Sequence, residues 1–357
     1  MISAFELAKN LNYSHINLFF IFYGLRINSS PQLNNLFEKF DLKKEYLLSS
    51  ILMEIYLEKI KLKKIPKTQF LSVFQAKLSK KAIFNSALTS QATNVLDTYS
   101  VDLTYLANKE SAGFLIGHKE ELEKLINFLM QGSNVLLIGE DGTGKETIIM
   151  HLAWLIQNDL VPKELLDYRL VKLDLGLLYA QNKENFLPLL TKILSDIIHS
   201  GYIILYLPYL ENILLEKEID IMQALQSILL SKAIPIIVTM TPLGYKKSLT
   251  RYNLDQFFQK IEVKELTEEE SIYLLTLKSL IWEKQEKITF SPLAISLAVS
   301  LAKKFIKIKP LPKSAEEVIL EALGLAKKNK QKFIGREIIQ EIVAERTKIP
   351  VGEITQI

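Results

Sequence analysis

The chain has 357 residues, room for two or three domains, with 44 Lys and Arg against 40 Asp and Glu and a net charge of +4. That excess is too slight to mark a nucleic-acid-binding surface. There is no cysteine, which excludes disulfides, thiol catalysis and thiolate metal sites and fits a cytoplasmic protein.

The four histidines, His15, His118, His151 and His199, are scattered without metal-ligand spacing and read as surface or partly buried structural residues. No apolar run is long enough to span a bilayer and no signal peptide opens the chain, so no membrane or export role is expected.

Residues 1–60 carry apolar residues at helical spacing, as in Ile16-Asn-Leu-Phe-Phe-Ile-Phe-Tyr-Gly-Leu25, and read as a small helical domain. Residues 61–100 open on the basic, proline-containing Lys61-Leu-Lys-Lys-Ile-Pro66-Lys67 and continue in Ser, Thr, Ala and Asn, a linker with loose helices. Over 101–265, strand-like runs at 135–138, 169–176, 202–207, 234–241 and 261–263 alternate with helix-like segments. One of these carries Leu122, Leu125, Ile126 and Leu129; others are expected at 145–158, 186–198 and 220–230. Such alternation predicts a parallel sheet with helices on both faces. From residue 266 to 357 the pattern is wholly helical. It is announced by Thr267 and Glu270 as a capping box and closes on an extended exit segment at 347–354.

The chemistry-bearing stretch is Gly139-Glu-Asp-Gly142-Thr143-Gly144-Lys145, between the buried strand 135–138 and a helix. Glycines let backbone N–H groups curl around phosphate oxygens, the helix N-terminus adds positive charge, and a lysine reaches the outer phosphates. The spacing fits a phosphate-binding loop. The alternative is a Gly-rich turn kept only for structure. One position departs: a Ser or Thr that would hold Mg²⁺ is expected after the lysine. The chain has Glu146, with Thr147 one residue late and on a different side of the helix.

Five ordered stretches resemble the first ATPase module of the Clp-type AAA+ unfoldases, which are ring-forming disaggregases and protease-loading chaperones. They are Asp102-Leu-Thr-Tyr-Leu-Ala107; Leu115-Ile116-Gly117 followed by Glu120-Glu121; Gly139 to Lys145; Val161-Pro162 with Leu173-Asp-Leu-Gly176; and Ile349-Pro-Val351. Together they cover roughly 95–357. Residues 1–60 more weakly resemble one repeat of the family's N-terminal domain. The resemblance implies an AAA+ α/β domain with a helical lid, binding ATP or ADP through Gly139–Lys145 with the adenine beside Leu115, Ile116 and Gly117.

The same resemblance locates departures. The family's Asp-Glu pair, which holds Mg²⁺ and activates water, falls on Pro208 and Tyr209. Glu211, two residues beyond, reads as a solvated loop carboxylate. Its arginine fingers fall on Gln256 and Phe257, with Arg251 out of register. Thr241 is a possible sensor or an ordinary strand-end threonine. The pore loop, Ala180 to Asn185, lacks an aromatic, and Tyr179 before it reads as packed. Three functions are therefore open. One is a degenerate Clp-type module that binds nucleotide, hydrolyses poorly and serves a ring of Clp-type subunits or copies of itself. Another is an active unfoldase acting on polypeptides. The third is an interaction protein without nucleotide.

Overall fold

The computed structural model describes residues 93–109, 115–214, 221–231 and 233–349. The helical domain read over 1–60, most of the linker and the exit segment beyond 349 lie outside them. The chain divides into two compact units between Thr267 and Glu268.

The first unit runs α1 (Asn94–Tyr99), β1 (Val101–Asp102), α2 (Leu103–Lys109), α3 (Lys119–Met130), β2 (Val135–Ile138), α4 (Lys145–Gln157), β3 (Arg169–Lys172), α5 (Leu175–Gln181), α6 (Phe186–Ser200), β4 (Ile203–Leu207), α7 (Glu211–Leu214), α8 (Ile221–Ser231), β5 (Ile236–Met240), α9 (Pro242–Tyr252) and β6 (Gln259–Glu262). Six strands form one sheet in the order β1-β3-β4-β5-β2-β6. Only the short β1 pairs antiparallel; the remaining pairings are parallel.

Strands β2, β4 and β5 are buried at every position, which is why they read as continuous apolar runs rather than alternating ones. The period-2 pleat then shares their side chains between two cores. Leu136, Ile138, Leu205, Leu207, Val238 and Met240 face one, with residues of α6 and α8. Val135, Leu137, Ile204, Tyr206 and Ile237 face the other, with residues of α3 and α4. At the amino end, buried Asn134 staples three elements. Its Nδ2 donates to the Leu229 and Phe257 carbonyls (3.2 and 3.4 Å), and its Oδ1 accepts the Ile236 N–H at 3.2 Å.

Two differences from the expectation lie beside the carboxyl edge of the sheet. The strand over 169–176 stops at Lys172, because the Asp174 carboxylate accepts the Leu177 N–H at 3.0 Å and starts α5. The helix α9 was not anticipated. It is capped by Thr241, whose hydroxyl oxygen accepts the Gly244 N–H at 3.0 Å, with Pro242 in its first turn. Its Gly, Lys and Ser content leaves no clear apolar period to read.

The second unit holds α10 (Glu268–Glu286), β7 (Thr289–Phe290), α11 (Pro292–Phe305), α12 (Lys313–Lys328), β8 (Phe333–Ile334) and α13 (Arg336–Thr347). It is not wholly helical, since β7 and β8 pair in parallel. Two-residue strands are too short to leave a period in the sequence. Ala294, Ala298, Ala302, Ala315, Ala322 and Ala326 are fully buried, and such small residues let α11 and α12 pack closely. No described helix of either unit is long and apolar enough to cross a membrane.

His151 on α4 stacks on Trp154, ring centroids 5.5 Å apart, and burial pushes its pKa from 6.5 down to about 4. The unfolded chain therefore binds a proton that the folded chain does not. Stability is full above about pH 6.5 and falls as the pH drops towards 4, by roughly 1–3 kcal/mol. Denaturant unfolding between pH 7 and 4.5 should show this loss, and His151→Gln should flatten it.

Candidate functional site

Because β2, β4 and β5 run parallel, the segments that follow them emerge at one edge of the sheet, where such folds bind ligands. Gly139–Gly144 leaves β2, Pro208–Glu211 leaves β4, and Thr241 leaves β5.

Packing imposes the glycines of the first segment. A Cβ on Gly139 would lie 2.5 Å from the Val263 carbonyl oxygen, and one on Gly144 would lie 2.8 Å from His118 Nε2. Gly142 and Gly144 adopt φ of +94° and +105°, open to glycine at little cost. The buried Thr143 hydroxyl donates to the Glu140 carbonyl at 2.9 Å and tightens the turn. Gly144 is the N-cap of α4, so the first N–H groups of a 13-residue helix face the loop.

Lys145 is 3% exposed. Its ammonium donates to the Gly139 and Glu140 carbonyls at 2.5 and 2.9 Å and lies 3.8 Å from Asp141 Oδ1. Burial lowers its pKa, against the opposing fields of Asp141, Glu211, Glu140 and Glu146. Glu146 does not face Lys145 directly: its side chain is exposed and its Oε1 lies 3.9 Å from Lys172 Nζ. Thr147 is half-buried in the first turn of α4.

Pro208 is buried and Tyr209 half-buried at the end of β4. Tyr209 has φ of +47°, a region costly for a residue with a bulky side chain. Its N–H donates to Thr239 Oγ1 at 3.1 Å, its ring lies 5.7 Å from Lys145 Nζ, and its phenol hydrogen-bonds Asp141. Burial first, then the fields of Glu146, Asp141 and Glu211, push that phenol up to about 12. A proline and a neutral phenol are poor metal ligands and poor bases, so the donor set at this strand end does not fit Mg²⁺. Among the described residues no cluster of three or more His, Cys, Asp or Glu is placed to hold a metal.

Glu211 corrects the expectation of a solvated carboxylate. It is 5% exposed, its Oε1 accepts the Thr241 N–H at 2.7 Å, and its buried Oε2 has no hydrogen-bond partner. Gly244 is a glycine for its sake, since a Cβ there would lie 2.6 Å from Glu211 Cγ. Thr241 is thus held from both sides, its N–H on Glu211 and its hydroxyl oxygen capping α9. A cleft of about 390 Å³ is lined by Asp141, Tyr209, Glu211, Thr241, Gly244 and Lys247, among others.

Leu115, Ile116 and Gly117 are half-buried, and Leu115 packs on the core that α4 also joins. The next residue, His118, is buried against Gly144 with no hydrogen-bond partner for Nε2. Its expected place as a surface or partly buried structural residue resolves to a buried one packed on the glycine loop. At the finger positions Gln256 is exposed and Phe257 packs on the core, while the exposed Arg251 lies over the Tyr252 ring at 4.9 Å. Tyr179 is buried edge-on to Phe186.

The sequence is 32% identical to the chaperone protein ClpB of Oceanobacillus iheyensis over 66% of this chain and 30% of the relative. It is also 32% identical to the negative regulator of genetic competence ClpC/MecB of Bacillus subtilis, over 64% of this chain and 30% of the relative. The Saccharomyces cerevisiae Hsp104–ADP complex superposes with a TM-score of 0.67 at 28% identity, covering 72% of this chain and 46% of that one. A closed-state Hsp104 with ATPγS and FITC-casein superposes with a TM-score of 0.66, also at 28% identity and over the same shares of both chains. The chain thus spans about 30% of the length of the curated relatives it matches. No protein-family model matches it.

Gly144→Ala forces a Cβ at φ +105° into the His118 ring and should destabilise the α/β unit by roughly 1–3 kcal/mol. Adding His118→Ala should recover only part of that loss, because the backbone strain stays. A double-mutant cycle by chemical denaturation measures both terms.

Proposed function

We propose that this homologue of the Clp-type AAA+ ATPases holds ATP or ADP in its phosphate loop, turns it over slowly at most, and serves as a structural or regulatory subunit of a protein-unfolding assembly. The observation that carries this reading is Tyr209. A buried lysine at a helix N-terminus is what a phosphate loop needs, yet the residue across from it at the end of β4 is a phenol bonded to Asp141. Gly139, Gly142, Thr143, Gly144, Lys145, Glu146 and Thr147 border the phosphates in this reading, and Leu115, Ile116 and Gly117 the base. Nothing at Pro208, Tyr209, Gln256 or Phe257 activates water or neutralises a transferring phosphoryl group. Losing a preorganised stabilising group costs ~10²–10³ in rate, and losing an arginine finger ~10³–10⁵. The end of β4 offers no carboxylate pair for Mg²⁺ in this reading, and the Mg²⁺ dependence of binding is what calorimetry reads.

The partners that fit are Clp-type subunits or further copies of this chain, in a ring, with polypeptides as the material the assembly handles. Support comes from the relatives: Hsp104 is solved with casein, and ClpB carries the name of a chaperone. A cytoplasmic location and the absence of a nucleic-acid role go with this reading, and Thr241 serves it as the strand-end sensor.

A second reading rests on Glu211. A buried carboxylate with one unpartnered oxygen in the cleft beside the loop is a candidate general base for an active ATP-driven unfoldase.

Calorimetry and phosphate release separate these. The expected outcome is nucleotide binding by the wild type, weakened roughly 100-fold or more by Lys145→Ala, with phosphate release near the buffer rate. Phosphate release that needs Mg²⁺ and disappears in Lys145→Ala would establish the active unfoldase instead. No binding of either nucleotide would leave an interaction protein on an ATPase scaffold.

A further inference from the structure

We infer that the site is selective for a nucleoside diphosphate over the triphosphate, and that Glu211 is the residue that sets this preference. The inference rests on the nucleotide-holding reading above and specifies its ligand.

The lysine of a phosphate loop marks where the outer phosphates sit. Around Lys145 Nζ lie Asp141 at 3.8 Å and the Tyr209 ring at 5.7 Å. Both residues also line the 390 Å³ cleft, which continues from the loop to Glu211, Thr241, Gly244 and Lys247. A third phosphate extending past Lys145 therefore enters a space bordered by the exposed Asp141, screened as Lys247 is, and by the buried Glu211.

Glu211 is fixed in that wall. The Thr241 N–H holds one of its oxygens at 2.7 Å, the absent Cβ of Gly244 makes room for its stem, and its other oxygen is buried with no protein donor. Such an oxygen offers a phosphate no hydrogen bond, and no donor offsets its charge, whose field already reaches Lys145. The opposing cation, Lys247, is exposed, so solvent and salt screen it. A metal bridging such acids to a triphosphate would offset the repulsion, but Pro208, Tyr209 and an outward Glu146 supply no such bridge here. The β-phosphate meets a different surface: the loop N–H groups, the α4 N-terminus and Lys145. Selection then comes from repulsion of the longer ligand rather than from added contacts to the shorter one.

The test is calorimetry on the full chain with ADP and with ATP, each in EDTA and in Mg²⁺, for the wild type and Glu211→Gln. The glutamine keeps an acceptor for the Thr241 N–H. The expected result is roughly tenfold or greater preference of the wild type for ADP in both buffers, with Glu211→Gln tightening ATP roughly tenfold and leaving ADP within about twofold. Equal or tighter binding of ATP by the wild type would overturn the inference, whatever the variant does. So would a preference that survives Glu211→Gln. ATP affinity restored by Mg²⁺ in the wild type but not in Glu211→Gln would also overturn it, by making Glu211 a metal ligand. If neither nucleotide binds the wild type, the nucleotide-holding reading itself fails, whereas ADP binding without selectivity sinks only the inference.

Discussion

The functional edge of this protein depends on the close approach of two backbones. Gly139 lies so near the Val263 carbonyl that no Cβ fits between them, and Gly144 is packed in turn against the His118 side chain. These contacts curl the chain after β2 into a loop and bring the N-terminus of α4 to the sheet edge with Lys145 buried beneath it. Depth of burial, more than the presence of a lysine, makes the position electrostatically strong, since the low local dielectric magnifies every charge near it.

That strength acts in both directions. Four carboxylates, Asp141, Glu211, Glu140 and Glu146, act on the buried Lys145 ammonium. In an ATPase comparable acids are organised by a metal ion and do chemistry. Here Tyr209 stands at the strand end with its phenol on Asp141, Glu146 turns to Lys172, and Glu211 is spent on the backbone ahead of α9. Around the glycine loop these acids are held by neighbouring groups, and one Glu211 oxygen is left without a partner.

The scaffold beneath the site is ordinary by contrast. Parallel strands buried on both faces, with Asn134 tying β2, β5 and the segment before β6 at the amino end, set a rigid register that lets loops from three strands meet within one cleft. The backbone strain at Tyr209 is tolerated because β4 and β5 hold it on either side, through the Thr239 hydroxyl and the buried run that precedes it.

The amino-acid sequence by itself determined the sheet, the helices on both faces, the glycine loop and the likeness to the Clp-type AAA+ ATPases. Each of these is written locally: in apolar runs too short for buried helices, in glycine spacing, and in the order of short motifs. It also placed Pro208 and Tyr209 at the end of β4. The two-residue strands β7 and β8 and the helix α9 left no such local mark, because neither has a length or an apolar period to read. Tertiary structure alone decided the character of Glu211 and His118. A glutamate after a strand end reads as solvated until α9 folds across it and Gly244 admits it. A histidine in a turn reads as a surface or partly buried residue until Gly144, 26 positions along the chain, packs against its ring and buries it. Burial of a polar group is set by what covers it from distant positions, and no window of sequence contains that cover.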